Sequence, residues 1–217
     1  MAAIGTILKY EMLTPHVLEL TLEMDQIISL VPGQRALFSC QDTQWVFKRA
    51  YSIVDDMIKD DKLYLTFCIK LMDNGRWANF LQQKKIGDTI TIDGIFGHFT
   101  LQNTDAPKIF IGTGTGLAPL YNMAKASSTK EKLLLFAVPY KNELFYEDKI
   151  KSIPNLKSEI YITREDIQGY HSWRFDLEKE KFDPESEFYL CGNPQMVSST
   201  IEKLKSLWYE KIYNEQF

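Results

Sequence analysis

Cysteine and histidine are scarce in this sequence, and long apolar runs are missing. The three cysteines, Cys40, Cys68 and Cys191, lie far apart with no C-x-x-C among them. That excludes a disulfide framework and any four-thiolate zinc or iron–sulfur site built from this chain alone. The three histidines, His16, His98 and His171, are equally scattered, so no metal constellation is visible. No stretch approaches the roughly 20 apolar residues that span a bilayer, and the opening residues lack a basic segment followed by an apolar one. Cationic excess is absent as well: 25 Lys and Arg stand against 29 Asp and Glu, a net charge of −4, with −2 on either side of residue 103. Binding to a phosphate backbone needs a positive field, so nucleic acid is not expected as a partner. These absences together predict a reduced, cytoplasmic protein that does not enter a membrane.

What is present is an ordinary globular mixture, 45% hydrophobic and 25% charged over 217 residues, long enough for two small domains with cores of their own. In the first half the apolar period is two. Leu18, Leu20, Leu22 and Met24 alternate with Glu19, Thr21 and Glu23; Leu63, Leu65, Phe67 and Ile69 repeat the pattern, as do Ile90 and Ile92. Alternation of this kind marks strands with one buried face, the habit of antiparallel sheets. Turn signals separate them at Pro32-Gly33, Asp55-Asp56, Asp60-Asp61, Asp73-Asn74-Gly75 and Gly87-Asp88. Short strands at close spacing predict a small closed barrel, interrupted by one short helix near Trp77–Gln83.

After about Ala106 the pattern changes. Unbroken apolar runs at Lys108–Ile111 and Leu133–Val138 predict strands buried on both faces, with further strands at Glu159–Thr163 and Glu187–Cys191. Helices are expected through about Ala126, over Leu144–Ser152, and from Pro194, where Val197, Ile201, Leu204 and Trp208 form one apolar stripe. The fold class is thus a two-domain α+β chain: an antiparallel β-barrel over residues 1–103, then an α/β parallel-sheet domain over 104–217.

Three segments carry chemistry. Gly112-Thr113-Gly114-Thr115-Gly116-Leu117-Ala118-Pro119 follows an apolar strand and opens a helix, where glycines let a pyrophosphate reach free backbone N–H groups. The same glycines also suit a tight strand–helix turn with no ligand. The next strand ends in Val138-Pro139-Tyr140, without the carboxylate that ordinarily grips a ribose 2′-hydroxyl. Thr163-Arg164 closes the third α/β strand, with Arg174 ten residues on; a guanidinium pair there suits a 2′-phosphate, or is solvated surface. Arg49-Ala50-Tyr51-Ser52, on a barrel strand, could pair a phosphate, stack a planar ring and hydrogen-bond its edge, or the tyrosine could simply pack. Trp45, Trp77, Trp173 and Trp208 read as packing residues, and His98 as structural.

Taken in order, these segments resemble the ferredoxin–NADP reductase family of two-domain flavoprotein oxidoreductases. The matching pieces are Pro32-Gly33-Gln34; Arg49–Ser52; Gly75 with Asn79 and Leu81; Gly87-Asp88; Gly94-x-Phe96-Gly97-x-Phe99; Gly112–Pro119; Thr163-Arg164; and Cys191-Gly192-Asn193-Pro194-Gln195-Met196. Each is short, but the ordered set covers about residues 30–217.

The resemblance implies an FAD site and an NADPH site. Arg49 would pair the flavin phosphate, Tyr51 would stack on the isoalloxazine, and Ser52 would approach its N5 edge. Ala50, Ile69, Gly75, Arg76, Trp77 and Ala78 complete the implied flavin contacts. Ala78 stands where the family usually has Ser or Thr, which leaves FMN open beside FAD. On the NADPH side the implied residues are Gly112, Thr113, Gly114 and Thr115 at the pyrophosphate, Thr163, Arg164 and Arg174 at the 2′-phosphate, and Cys191, Gly192 and Met196 near the nicotinamide. The ending Glu215-Gln216-Phe217 resembles the family's Glu-x-aromatic terminus, so Phe217 would cover the flavin and act as a gate. Ser52, Cys191, Glu215 and Phe217 are the implied positioning and proton-handling groups, with no metal.

The expected reaction is hydride transfer from NADPH to flavin, followed by single electrons to ferredoxin or flavodoxin. The rival readings are an NAD(P)H:flavin or quinone reductase, an electron-transfer component of a larger complex, a nucleotide-binding module without turnover, and an NAD-type dehydrogenase without flavin, which the barrel half disfavours.

Overall fold

The computed structural model describes residues 2–41, 46–73, 75–172, 175–178 and 180–217. Asn74, Trp45, Trp173 and Arg174 lie outside the described residues. The chain divides into two compact units, Met1–Thr100 and Leu101–Phe217.

The first unit is a closed six-stranded antiparallel barrel in the order β1-β2-β5-β4-β3-β6. Its strands are β1 (Ala3–Thr14), β2 (Val17–Met24), β3 (Arg35–Gln41), β4 (Val46–Lys59), β5 (Lys62–Lys70) and β6 (Thr89–Phe96), with helix α1 (Arg76–Gln82) between β5 and β6. The alternating residues do face inward: Leu18, Leu20, Leu22, Leu63, Leu65, Phe67, Ile69, Ile90 and Ile92 share one core. The turn at Asp60-Asp61 is a two-residue hairpin with both residues left-handed, φ 50° and 57°, a backbone twist that suits tight hairpins.

Two expectations fail in the barrel. Asp55-Asp56 is not a turn: β4 runs straight through it, with a register shift between Ile53 and Asp55. This bulge takes β4 from its pairing with β3 to its pairing with β5, the corner a small barrel needs. Glu19, expected on the solvent face, is only 1% exposed. It is charge-paired with Lys9 on β1, and its carboxylate helps hold the Lys9 ammonium above its ordinary pKa, after Glu11.

The second unit is a five-stranded, all-parallel sheet in the order β11-β10-β7-β8-β9. The strands are β7 (Lys108–Thr113), β8 (Lys132–Val138), β9 (Leu156–Ile162), β10 (Glu187–Gly192) and β11 (Ile212–Gln216); the helices are α2 (Leu117–Ala126), α3 (Glu147–Lys151) and α4 (Pro194–Ser206). Ile109, Ile111, Phe188 and Leu190 pack with Val197 and Leu204 of α4 on one side, and α2 buries eight consecutive residues from Leu117 to Ala124.

The helix expected over Leu144–Ser152 begins only at Glu147, because Tyr146 is left-handed at φ 63°. The α4 stripe also stops short. The helix ends at Ser206, and Trp208, at φ 68°, is 91% exposed.

At the amino ends of β7 and β10 lies a buried ion pair. Lys108 Nζ donates to Glu187 Oε2 at 2.7 Å, and the two side chains are 1% and 3% exposed. The ammonium also donates to Thr104 Oγ1 at 2.6 Å and to Thr104 O at 3.1 Å. The carboxylate accepts from the hydroxyls of Thr104 (2.6 Å) and Tyr189 (2.7 Å). Every partner is supplied, which is the condition for holding charge away from water. This network fastens the segment entering β7 to the sheet, since Gln102 N–H donates to Tyr189 Oη.

Candidate functional site

In the parallel sheet the strand order reverses between β7, which leads on to β8 and β9, and β10, which starts the other wing. Beyond the carboxyl ends of such strands lies the crevice where open α/β sheets take their ligands. The residues there are Thr113–Gly116 at the end of β7 and Cys191–Asn193 at the end of β10, and each glycine has a separate reason. Gly116 has no room for a side chain: a Cβ would sit 2.3 Å from the Cys191 carbonyl oxygen, so α2 begins hard against β10. Gly112 is likewise filled, its missing Cβ 2.6 Å from Leu120. Gly114 differs. It is left-handed at φ 53°, and nothing lies within 4 Å of where its Cβ would be.

Helix α2 starts at Gly116 with no side-chain cap and no acid in its first turn. The Leu117 N–H turns back to Gly114 O in the tight turn before the helix, and no side chain caps the start. Helix α4 is unlike it: Asn193 caps it, accepting from the N–H groups of Gln195 and Met196. Thr113 Oγ1 accepts from Asn193 N–H at 3.0 Å and so ties the two turns together. An open glycine beside an uncapped helix start fits an anionic pyrophosphate.

A cavity of about 930 Å³ opens from this turn across the ends of β8 and β9 and along α4, the size of a small-molecule site. Of the residues singled out in the sequence, Thr113, Gly114, Thr163, Arg164 and Met196 line it. Arg164 stands 5.8 Å over the Tyr140 ring. Thr163 Oγ1 donates to Val138 O at 3.4 Å. Gly112, Thr115, Cys191 and Gly192, described residues expected on the NADPH side, do not line the cavity. Gly112 is packed against Leu120, and Cys191 is fully buried at the end of its strand. Ser199, Thr200, Lys203 and Asp176 do line it, and sequence reasoning had not singled them out. Ser199, Thr200 and Lys203 lie on the face of α4 next to its apolar stripe, and Asp176 lies in the segment after β9; only the fold brings the two together.

At the chain's end, Glu215 and Gln216 are held in β11, in register with Cys191 and Gly192 of β10. Phe217 N–H donates to Gly192 O at 3.4 Å, and the ring is 58% exposed. The terminus is an edge strand where none was expected.

The expected flavin residues of the barrel divide similarly. Arg49 is exposed and donates to its neighbour's carbonyl, Lys48 O, at 2.9 Å. Ala50 is exposed beside it, and Ser52 is buried. Tyr51 is half-buried, with ring centroids 5.3 Å from Phe38 and 5.9 Å from Trp77. Burial pushes its phenol well above the ordinary range. Gly75 caps α1 in an extended conformation, Arg76 stacks on Phe47 at 5.5 Å, and Ala78 is packed inside the first turn. Trp77 is buried, and its Nε1 has no hydrogen-bond partner among the described residues. Such a donor is costly unless something accepts from it. With an exposed arginine and a half-buried aromatic on the same unit, it fits a flavin bearing phosphate and carbonyl oxygens. Ile69 does not fit: its side chain lies fully inside the barrel core.

Residues 10–101 match the family described as the oxidoreductase FAD-binding domain, and residues 110–202 the oxidoreductase NAD-binding domain. Among curated proteins, one component of the Na(+)-translocating NADH-quinone reductase of Neisseria meningitidis, its F subunit, is 30% identical over 63% of this chain. Its counterpart in Shewanella denitrificans is 31% identical over 63%. The chain spans 38% of the length of these relatives.

Two solved structures share the fold along nearly the whole chain. The FAD/NAD-binding domain of a Vibrio cholerae nitric oxide dioxygenase has a TM-score of 0.87 at 17% identity, with 99% and 98% of the two chains covered. A Neisseria gonorrhoeae ferredoxin NADP+ reductase has 0.85 at 21%, also with 99% and 98% covered. Barrel, sheet and both domain matches agree: the chain belongs to the oxidoreductases in which an FAD-binding domain is followed by an NAD-binding domain. Among the described residues no helix is long and apolar enough to cross a membrane, and no cluster of His, Cys, Asp or Glu is placed to hold a metal.

Proposed function

We propose that the protein is an NADPH-dependent flavoprotein reductase that passes electrons to an external acceptor, a ferredoxin or flavodoxin. Arg164 carries this reading. It lines the cavity at the carboxyl end of β9, while β8 ends in Val138-Pro139-Tyr140 with no carboxylate for a ribose diol. A guanidinium there recognises a phosphate monoester by charge-assisted, bidentate bonds. When bound, the flavin supplies the redox chemistry, accepting two electrons from a nicotinamide and releasing them onward.

The chain's own residues bind and orient. Gly114 and the α2 start receive the pyrophosphate, Thr163, Arg164 and Arg174 take the 2′-phosphate, and Met196 flanks the nicotinamide end. Arg49, Tyr51, Ser52 and Gly75–Ala78 hold the flavin, as FAD rather than FMN. Glu215 and Cys191, in register on adjacent strands, position the nicotinamide, and Phe217 yields its place to it. The residue-range boundary at 103/104 and a cytoplasmic location complete the proposal, the latter in keeping with three buried thiols.

A second reading has support of its own. Asp176 also lines the cavity and could accept from a ribose 2′-hydroxyl, and the relatives are components of an NADH-quinone reductase. On that reading the donor is NADH, and the chain serves a quinone or a larger assembly.

Reconstitution with FAD followed by titration with each nucleotide decides between them. NADPH should bleach the flavin absorbance at lower concentration than NADH, and Arg164→Ala should weaken NADPH by about tenfold while moving NADH little. No uptake of flavin refutes the function, and an NADH preference unaffected by Arg164→Ala favours the second reading. Turnover with ferredoxin, flavodoxin and a soluble quinone then identifies the acceptor.

A further inference from the structure

The cavity has a second cation that the resemblance did not supply. Along α4 the lining residues Gln195, Met196, Ser199, Thr200 and Lys203 recur at helical spacing, so one face of the helix forms a wall of the site. Lys203 lies seven residues beyond Met196, about 10 Å further along the axis at 1.5 Å per residue. Opposite it, the segment after β9 contributes Phe175, Asp176 and Leu177 to the lining. The next residue, Glu178, holds the Lys203 ammonium in an ion pair. The pair sits at the wall of the site, with Lys203 37% and Glu178 63% exposed.

We propose that Lys203 is a specificity-determining ligand for the 2′-phosphate of the adenosine ribose, held in reserve by Glu178. The inference rests on the NADPH reading above and adds a residue to it. An exposed ion pair is weak and easily exchanged, whereas a phosphate monoester presents nearly two negative charges and three acceptor oxygens to the same ammonium. With the phosphate bound, the Glu178 carboxylate turns to water, which its exposure permits. Without a 2′-phosphate, Lys203 stays on Glu178 and adds nothing. Discrimination between the two nucleotides then comes from Lys203 on the helix wall together with Thr163, Arg164 and Arg174.

The alternative role for the pair is a brace that holds the 175–178 segment against α4. The two roles differ in sign. If the pair is a brace, losing either member loosens the site. If Glu178 competes with the ligand, its loss tightens phosphate binding while loss of Lys203 weakens it.

The test is calorimetric titration of the flavin-loaded protein with adenosine 2′,5′-bisphosphate and with AMP, using wild type, Lys203→Gln and Glu178→Gln. The quantity read is the ratio of the two affinities. It should fall about tenfold in Lys203→Gln and rise about threefold in Glu178→Gln. Changes of the same sign in both variants, or no change in Lys203→Gln, overturn the proposal. A wild-type protein that binds the two nucleotides equally refutes the underlying NADPH reading instead. Circular dichroism of the variants checks that both are folded before the ratio is interpreted.

Discussion

Replacing Lys108 by methionine removes the charge from the pair that closes the amino ends of β7 and β10 and keeps the length of the side chain. Packing therefore changes little. What changes is the state of Glu187, which keeps only the hydroxyls of Thr104 and Tyr189. Breaking a buried pair by removing one partner costs about 3–5 kcal/mol. Two surviving hydroxyl donors set the expected loss near the lower end, about 3 kcal/mol at pH 7, or a fall in Tm of roughly 10 °C for a unit of this size.

The pH dependence gives an independent check. In the wild type, burial pushes the Glu187 carboxyl up, but Lys108, Thr104 and Tyr189 together hold it below the ordinary 4.5. A depressed carboxylate contributes stability that is present above the unfolded value and lost as pH falls through the folded one. Without the ammonium, burial wins and the carboxyl rises above its unfolded value. The variant then gains relative stability as pH falls, and the gap to wild type narrows between pH 7 and pH 5. Urea unfolding followed by tryptophan fluorescence at both pH values measures this. A loss under about 1 kcal/mol, or a gap that does not narrow, would refute the buried-charge account.

Other perturbations have equally definite outcomes. Gly116→Ala places a Cβ 2.3 Å from the Cys191 carbonyl, so α2 must leave β10; a loss of about 2–4 kcal/mol in thermal unfolding is expected, with weakened nucleotide binding. Leu204→Ala, fully buried in the α4 core, should cost about 2–5 kcal/mol. Trp208→Gly, at an exposed left-handed position, should be neutral or stabilising by up to about 1 kcal/mol, and parallel melts of the two variants show the contrast. Glu147 is held at about 2 by Lys151, Tyr170 and Lys141 against the opposing effect of burial. Its contribution is present above the ordinary 4.5 and fades as pH falls towards 2, so Glu147→Gln should flatten that limb of the stability curve.

The sequence was legible where one physical demand acted alone. In β2 and β5 the apolar alternation follows from the face turned to the barrel core, although Glu19 and Cys68 on the other face are buried as well. In β1 it is blurred because Ile4, Leu8 and Met12 are apolar yet 44–48% exposed. Asp55 and Asp56 mimic a turn because carboxylates on the solvent side of a bulge look the same in one dimension. Trp208 continues the α4 stripe in register, but the helix has ended before it. Strand β11 has a single neighbour and a half-polar composition, so no periodicity marks it. At the site, the glycine run and Arg164 were readable because each acts within one local turn. Lys203 and Asp176 were not, since only the fold shows which segment faces α4.

The bond from Asn193 to Thr113 and the contact of Gly116 with Cys191 have a mechanical consequence. The two loops at the switch point are tied at both of these places, so a displacement of one is passed to the other. Anything that draws the Gly114 backbone towards a bound anion also shifts the Cys191–Gly192 peptide, and with it the β11 residues paired there. An anion taken up at the turn after β7 would in this way be felt at the end of β10 and in β11, through backbone that the two turns share.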